Sequence, residues 1–263
     1  MKNHKSKIIN QKLGGFSLTE VLLALGTLAV GMLLIAAVFP AGINLTTITS
    51  ERTIAAAAAD EAFAKIKLYG LLPPADPNWF NAGAPNLTNI ERISQIPFEE
   101  FAYPSNPVAD PNTKQYWWSA LCKWVSPTDV QVTVFVSRKI GNTTKYSGFY
   151  PDRPGPAEVN VTGRAGRVEL GLTSDKNFIN DGYTIVDGAT GQIYQVLERY
   201  ANNPSTPQDE STVILLNNPF RPDLALNTPI PNGKVWVVPP PVRSNLVIGR
   251  YPCIAVYQKI ITR

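Results

Sequence analysis

Charge is missing from a long stretch of this chain: residues 21–50 contain no Asp, Glu, Lys, Arg or His. An ordinary surface helix needs a polar face, so that role is excluded here. Residues 21–39 are apolar almost throughout, and as a helix they span roughly 28 Å at about 1.5 Å per residue, close to the hydrocarbon thickness of a bilayer. Histidine is nearly absent too. His4 is the only one and precedes the apolar run. The chain beyond His4 therefore has no Ser-His-Asp or Cys-His catalysis and no histidine metal ligand. No glycine-rich phosphate loop occurs, and no paired-acid motif supports a tethered hydrolase. No acid precedes Glu20, whereas Lys2, His4, Lys5, Lys7 and Lys12 do. That order predicts a cytoplasmic N-terminus and export of the rest. Those four lysines also account for the whole net charge of +4, leaving 20 basic and 20 acidic residues. The basic pI is thus a property of the N-terminus and gives no reason to expect nucleic-acid binding.

Cysteine is scarce. Cys122 and Cys253 are the only two, and their separation excludes a CxxC redox or zinc motif. In an exported chain they are candidates for a disulfide. Both also lie in apolar, strand-like surroundings, where free cysteine serves as a small buried hydrophobe. Both readings stand on the sequence.

What is present at the head of the apolar run is Gly14-Gly15-Phe16-Ser17-Leu18-Thr19-Glu20. Ser17-Leu18-Thr19-Glu20 fits a capping box, with Glu20 near the positive end of the helix dipole. A carboxylate at the start of an apolar layer is also expensive and needs a partner. A basic leader, Gly15, then Phe16-Ser17-Leu18-Thr19-Glu20 and a long apolar helix resemble a type IV prepilin or type II secretion pseudopilin. The run through Ala29-Val30-Gly31-Met32-Leu33-Leu34 is most similar to the minor branch of that family. The match covers about the first 35 residues. The resemblance implies that a prepilin peptidase cuts after Gly15 and methylates Phe16. It also implies that Glu20 is the assembly residue, neutralised by the new α-amine at Phe16, its own or that of another subunit. Further implied partners are other pilin or pseudopilin subunits, inner-membrane lipid and an assembly platform. The chain would be a single-pass inner-membrane protein until assembly, with its C-terminal domain periplasmic or extracellular.

Other readings of the N-terminus fit less well. A secretory signal has an apolar core of about 7 to 15 residues and a small-residue cleavage site; this run is longer, and Ala36, Ala37 and Ala41 make only an imprecise site. No Cys follows it, which removes a lipoprotein anchor. A plain single-span anchor stays open.

Beyond the bilayer the helix is expected to continue. Ile48, Ala55, Ala59, Ala62, Phe63, Ile66 and Tyr69 recur at helical spacing, and Glu61 with Lys65 makes an i, i+4 pair. Gly70 and Pro73-Pro74 close it. Pro40 and Gly42 are expected to bend or locally unwind it. Prolines make 71–115 an irregular connection, with a short helix near 89–100. Strands are expected at 116–125 and at 130–138, where Val130, Val132, Val134 and Val136 share one face and pack on the helix stripe. Ser126-Pro127-Thr128-Asp129 is their turn. Trp117, Trp118 and Trp124 suit core packing better than a stacking platform. After an irregular stretch at 141–156, short strands are read at 167–172, 183–186, 192–199, 212–216 and 234–238, with Asp187-Gly188-Ala189-Thr190-Gly191 as a hairpin turn. Pro239-Pro240-Pro241 reads as an extended crossover, and 246–250 with 253–261 as closing strands. Asp175, Asp181 and Asp187 do not fit a calcium loop, and no metal or cofactor is expected.

The expected architecture is α+β and pilin-like. A leader at 1–15 precedes a long helix over 16–70, transmembrane at about 21–39 and then amphipathic. The helix packs on an antiparallel sheet in a C-terminal β domain over 116–263, with a β subdomain inserted at 141–240. The expected function is a structural filament subunit without an enzymatic site; a membrane-tethered binding module for sugar or DNA is the alternative. Exposed tryptophans at 79, 117 or 118 would favour that alternative.

Overall fold

A computed structural model of the 263-residue chain describes residues 15–73, 76, 87–105, 113–139, 146, 153–172, 179–198, 213–230, 233–238 and 253–262. Residues 1–14 of the expected leader at 1–15, Trp79, Asp175, the crossover at 239–241, the strand at 246–250 and most of the irregular stretch at 141–156 lie outside these residues. The chain divides into two units, residues 1–50 and 51–263, and helix α1, Leu18–Tyr69, runs through both.

In the first unit α1 exposes its apolar side chains. Leu23, Leu33, Ile35, Val38 and Phe39 all lie open. The helix is long and apolar enough to cross a membrane. Pro40 does not unwind it, contrary to expectation: helix is continuous across Pro40 and Gly42. One proline removes a single main-chain bond, a small loss in a helix of 52 residues. Just beyond, Thr46, Thr47 and Thr49 turn their hydroxyls back onto the carbonyls of Gly42, Ile43 and Leu45 at 2.8–2.9 Å. Their polar groups are thereby satisfied within the helix.

The second unit is layered. Its helical part buries Ala55, Ala58, Ala59, Ala62, Phe63 and Ile66, because small side chains let the sheet approach closely. Against this stripe lie the four valines of β4 (Asp129–Arg138), in the same apolar cluster as Trp117, Trp118, Ala120 and Cys122 of β3 (Tyr116–Trp124). The antiparallel sheet runs β1 (Thr88–Asn89), β3, β4, β11 (Cys253–Thr262), with β2 (Ala102–Tyr103) beside β3. The expected short helix near 89–100 is two pieces, α2 (Ile90–Ile93) and a 3-10 turn at Phe98–Phe101. Asn89 caps α2 by accepting the Glu91 N–H at 3.1 Å.

In sequence between β4 and β11 lies a closed six-stranded barrel, ordered β10-β5-β6-β9-β8-β7. Its strands are β5 (Ala157–Gly163), β6 (Glu169–Leu172), β7 (Thr184–Asp187), β8 (Ile193–Glu198), β9 (Val213–Leu216) and β10 (Gly233–Val238). The interior is filled by side chains such as Val161, Leu170, Ile185, Tyr194, Val196, Ile214 and Val235. A barrel this narrow holds a packed core. Sequence reading passes over β5. Its Glu158 and Asn160 disfavour strands by propensity, yet they point to solvent while Ala157, Val159 and Val161 point inward. On the sheet face opposite the helix, Leu121 and Phe135 meet Val186, Trp236 and Val238 of the barrel. Leu87 N–H donates to Gly188 O at 2.7 Å, tying the connection before β1 to the barrel.

Candidate processing and assembly site

The head of α1 forms a reciprocal cap. Ser17 N–H donates to Glu20 Oε2 at 2.9 Å, and Glu20 N–H donates to Ser17 Oγ at 3.2 Å. The Ser17 hydroxyl also reaches Glu20 Oε2 at 3.2 Å. A helix leaves its first four N–H groups without partners, and the serine oxygen and glutamate carboxylate satisfy two of them. The carboxylate also lies at the positive end of the helix dipole. Ahead of it, Gly15 has no heavy atom near the position of a Cβ, and Phe16 is 87% exposed. The three residues singled out from sequence, Gly15, Phe16 and Glu20, are thus together, open, and placed before a run of exposed apolar side chains. The carboxylate bonds the amide one residue after Phe16. A chain beginning at Phe16 would therefore carry its amine beside this carboxylate.

The cysteines are not joined; both are free. Cys122 of β3 pairs with Val132, Cys253 of β11 pairs with Ser137, and β4 lies between those strands. Five residues along β4 separate the two levels, about 17 Å at 3.4 Å per residue, whereas a disulfide needs Cα atoms about 4.4–6.8 Å apart. They also belong to opposite faces, Cys122 with the helix-side cluster and Cys253 with the barrel-side one. Burial pushes both thiols up, Cys253 to about 12. Neither is a nucleophile at neutral pH.

Trp117 and Trp118 are each 1% exposed. Phe98 packs on Trp117 with ring centroids 5.4 Å apart, and Trp118 donates its indole N–H to Glu100 O at 2.9 Å. Trp124 is half-buried. These rings offer no stacking platform.

Two ion pairs in the second unit carry no signal in the sequence. Arg153 reaches Glu91 within a nest of aromatic rings, its guanidinium 4.0 Å from the Phe101 centroid and 4.9 Å from that of Phe98. Both partners are almost wholly buried. Desolvation dominates there and raises the Glu91 carboxyl, against the pull of Arg153. Asp187, fully buried, accepts two bonds from Arg221, at 2.8 Å from Nε and 2.7 Å from Nη2. Asp187 also takes Ala189 N–H at 3.1 Å and the Thr190 hydroxyl at 2.8 Å. It is a turn residue held by an arginine, with its oxygens spent. Asp181 sits in an exposed turn. Among the described residues no group of three His, Cys, Asp or Glu is gathered for a metal. The pairing Arg153–Glu91 links residues 62 apart, and no local pattern signals it.

No family model, no curated protein and no solved structure matches this chain.

Proposed function

We propose that the chain is a minor pilin or pseudopilin, a structural subunit of a type IV pilus or type II secretion filament. It is cut after Gly15 by a prepilin peptidase, waits in the cytoplasmic membrane through residues 21–39, and joins its filament through α1. The single observation that supports this most is the Glu20 carboxylate, bound at 2.9 Å to the Ser17 N–H at the head of an uncharged, exposed helix. A carboxylate at the edge of the apolar layer carries an insertion cost, below the about 2.5–3.5 kcal/mol of a charge at the helix centre. A free amine at Phe16 removes that cost by charge pairing, within one subunit or between two.

Two measurements test the proposal. Mass spectrometry of the mature protein should give an N-terminus at Phe16; a chain that keeps its first 15 residues where the peptidase is active would sink the processing claim. Glu20→Gln keeps an acceptor for the Ser17 N–H but removes the charge. It should insert in the membrane normally and enter filaments as poorly as Glu20→Ala does. If Glu20→Gln assembles like the unaltered chain, the residue is a cap and nothing more.

A further inference from the structure

At one end of the barrel the β5–β6 and β9–β10 connections are laced together. Ala165 N–H donates to Thr228 O at 2.9 Å, Gly166 N–H to Phe220 O at 2.8 Å, Phe220 N–H to Arg167 O at 2.7 Å, and Asn227 N–H to Ala165 O at 2.9 Å. From this frame residues 222–226, Pro-Asp-Leu-Ala-Leu, stand out, every one of them exposed. Leu224 is 45% and Leu226 68% exposed. Leu226 rests on Gly166, where a Cβ would come within 2.6 Å of its methyl group. The glycine therefore makes room for the leucine.

The loop is held rigidly at both ends. Arg221 at φ 47° and Asn227 at φ 66° are the only non-glycine residues with positive φ among those described. Left-handed backbone at an arginine persists only where the surroundings impose it. Here Arg221 is fixed by Asp187, and its N–H donates to the Tyr194 hydroxyl at 3.0 Å. Asn227 is fixed by Arg167 Nε on its Oδ1 at 2.8 Å and by Arg164 Nη1 on its carbonyl at 3.3 Å. A strand connection alone does not need this bracing. The bracing presents two leucines to solvent, with the exposed Arg164 and Arg167 bonded to the end of the loop at Asn227.

We propose that this loop is a phospholipid-surface contact, in which Leu224 and Leu226 enter the headgroup–acyl boundary and Arg164 and Arg167 meet lipid phosphates. Exposed leucines beside guanidiniums combine apolar side chains with phosphate-binding groups, the pair of features that a headgroup–acyl boundary accommodates together. Guanidinium forks match phosphate oxygens and lie at the depth where the headgroups are. The leucines drive the contact, so a zwitterionic lipid suffices. A membrane is at hand, because α1 is long and apolar enough to cross one. The inference does not depend on the filament reading.

The test uses the full chain in phosphatidylcholine nanodiscs, carrying Leu226→Cys labelled with a polarity-sensitive fluorophore. Cys122 is buried and Cys253 half-buried, both with raised thiol pKa, and the unsubstituted chain carried through the same labelling sets the background. An acyl-chain quencher is placed in the disc in one arm and in added phosphatidylcholine vesicles in the other. Quenching in either arm is expected, the two arms telling the chain's own membrane from a second one. Adding Leu224→Asp should reduce the quenching at least about threefold, since a charge at that depth opposes entry. A label at Glu158→Cys, on the barrel wall, should stay unquenched, and an unchanged melting curve confirms that each variant folds. No quenching at 226 in either arm, equal quenching at 158, or indifference to Leu224→Asp overturns the proposal.

Discussion

The two stretches of α1 on either side of Glu51 have the same secondary structure and opposite burial. Residues 18–50 present Leu, Val, Ile and Phe outward, without a charge other than Glu20. Residues 51–69 bury alanines, Phe63 and Ile66, and the two charges they bury, Glu51 and Lys65, are both paired. Glu51 meets Arg138 at 3.1 Å, Lys65 meets Glu61 at 2.6 Å and Glu100 at 2.9 Å, and Lys259 meets Asp60 at 3.1 Å. The large apolar side chains are on the stretch with no protein around it; the small ones are on the stretch that packs. Residue size thus separates the exposed stretch, long and apolar enough to cross a membrane, from the stretch that packs on a sheet.

The comparison can be broken by equal substitutions with unequal results. Ile66→Ala, a core deletion, should cost about 2–5 kcal/mol in the unfolding of the second unit, read by chemical denaturation. Leu23→Ala, the same kind of truncation on the exposed stretch, should leave that transition unmoved. A charge reverses the ranking: Leu28→Lys should impair membrane insertion by about 2.5–3.5 kcal/mol, measured by alkaline extraction of membranes, without changing the fold of residues 51–263. Insertion unaffected by Leu28→Lys would show that the exposed stretch is not a span.

Smaller effects sharpen the picture at each end of the helix. Ser17→Ala removes one side of the cap and should loosen the first turn by about 1 kcal/mol, seen as faster amide exchange at Thr19 and Glu20. Near the other end two carboxylates titrate in opposite senses. Burial pushes Glu61 up, but hydrogen bonds from Lys65 and Ser105 and the charge of Lys65 outweigh it, so its pKa is held below 4.5. Its contribution is therefore complete above pH 4.5 and lost as pH falls through the lowered folded value. Glu91 is raised above 4.5 by burial, so its penalty grows as pH rises from 4.5 through the folded value, and acid relieves it. Glu61→Gln should flatten the acid limb of stability by less than about 1 kcal/mol, since the site is partly wet. A steeper acid limb in Glu61→Gln would reverse the assignment.

Much of this architecture was legible because its signals are local. The alternation of Val130, Val132, Val134 and Val136 marks a strand with one buried face, and those valines do share a cluster with Ala55, Ala59, Ala62, Phe63 and Ile66. Ser17 and Glu20 carry a capping pattern, and the cap forms. The strand Ala157–Gly163 was passed over although Ala157, Val159 and Val161 alternate with Glu158, Asn160 and Thr162; the low strand propensity of Glu and Asn outweighed the period in the reading. The cysteines could not be judged, because whether they meet depends on register: β4 lies between their strands. The barrel's closure was likewise out of reach, since β10 pairs with both β5 and β7, and no composition specifies a second neighbour.

Transfer from water is a property each residue carries with it, so an uncharged run of 30 residues, 21–50, announces its helix and its environment without reference to anything else. Partnership is different. That Arg153 lies against Glu91, that Asp187 binds Arg221, and that Leu224 and Leu226 are left in the open all depend on where distant segments return. Ion pairs and rigid loops need two pieces of chain in one place, and that place exists only after the fold has closed.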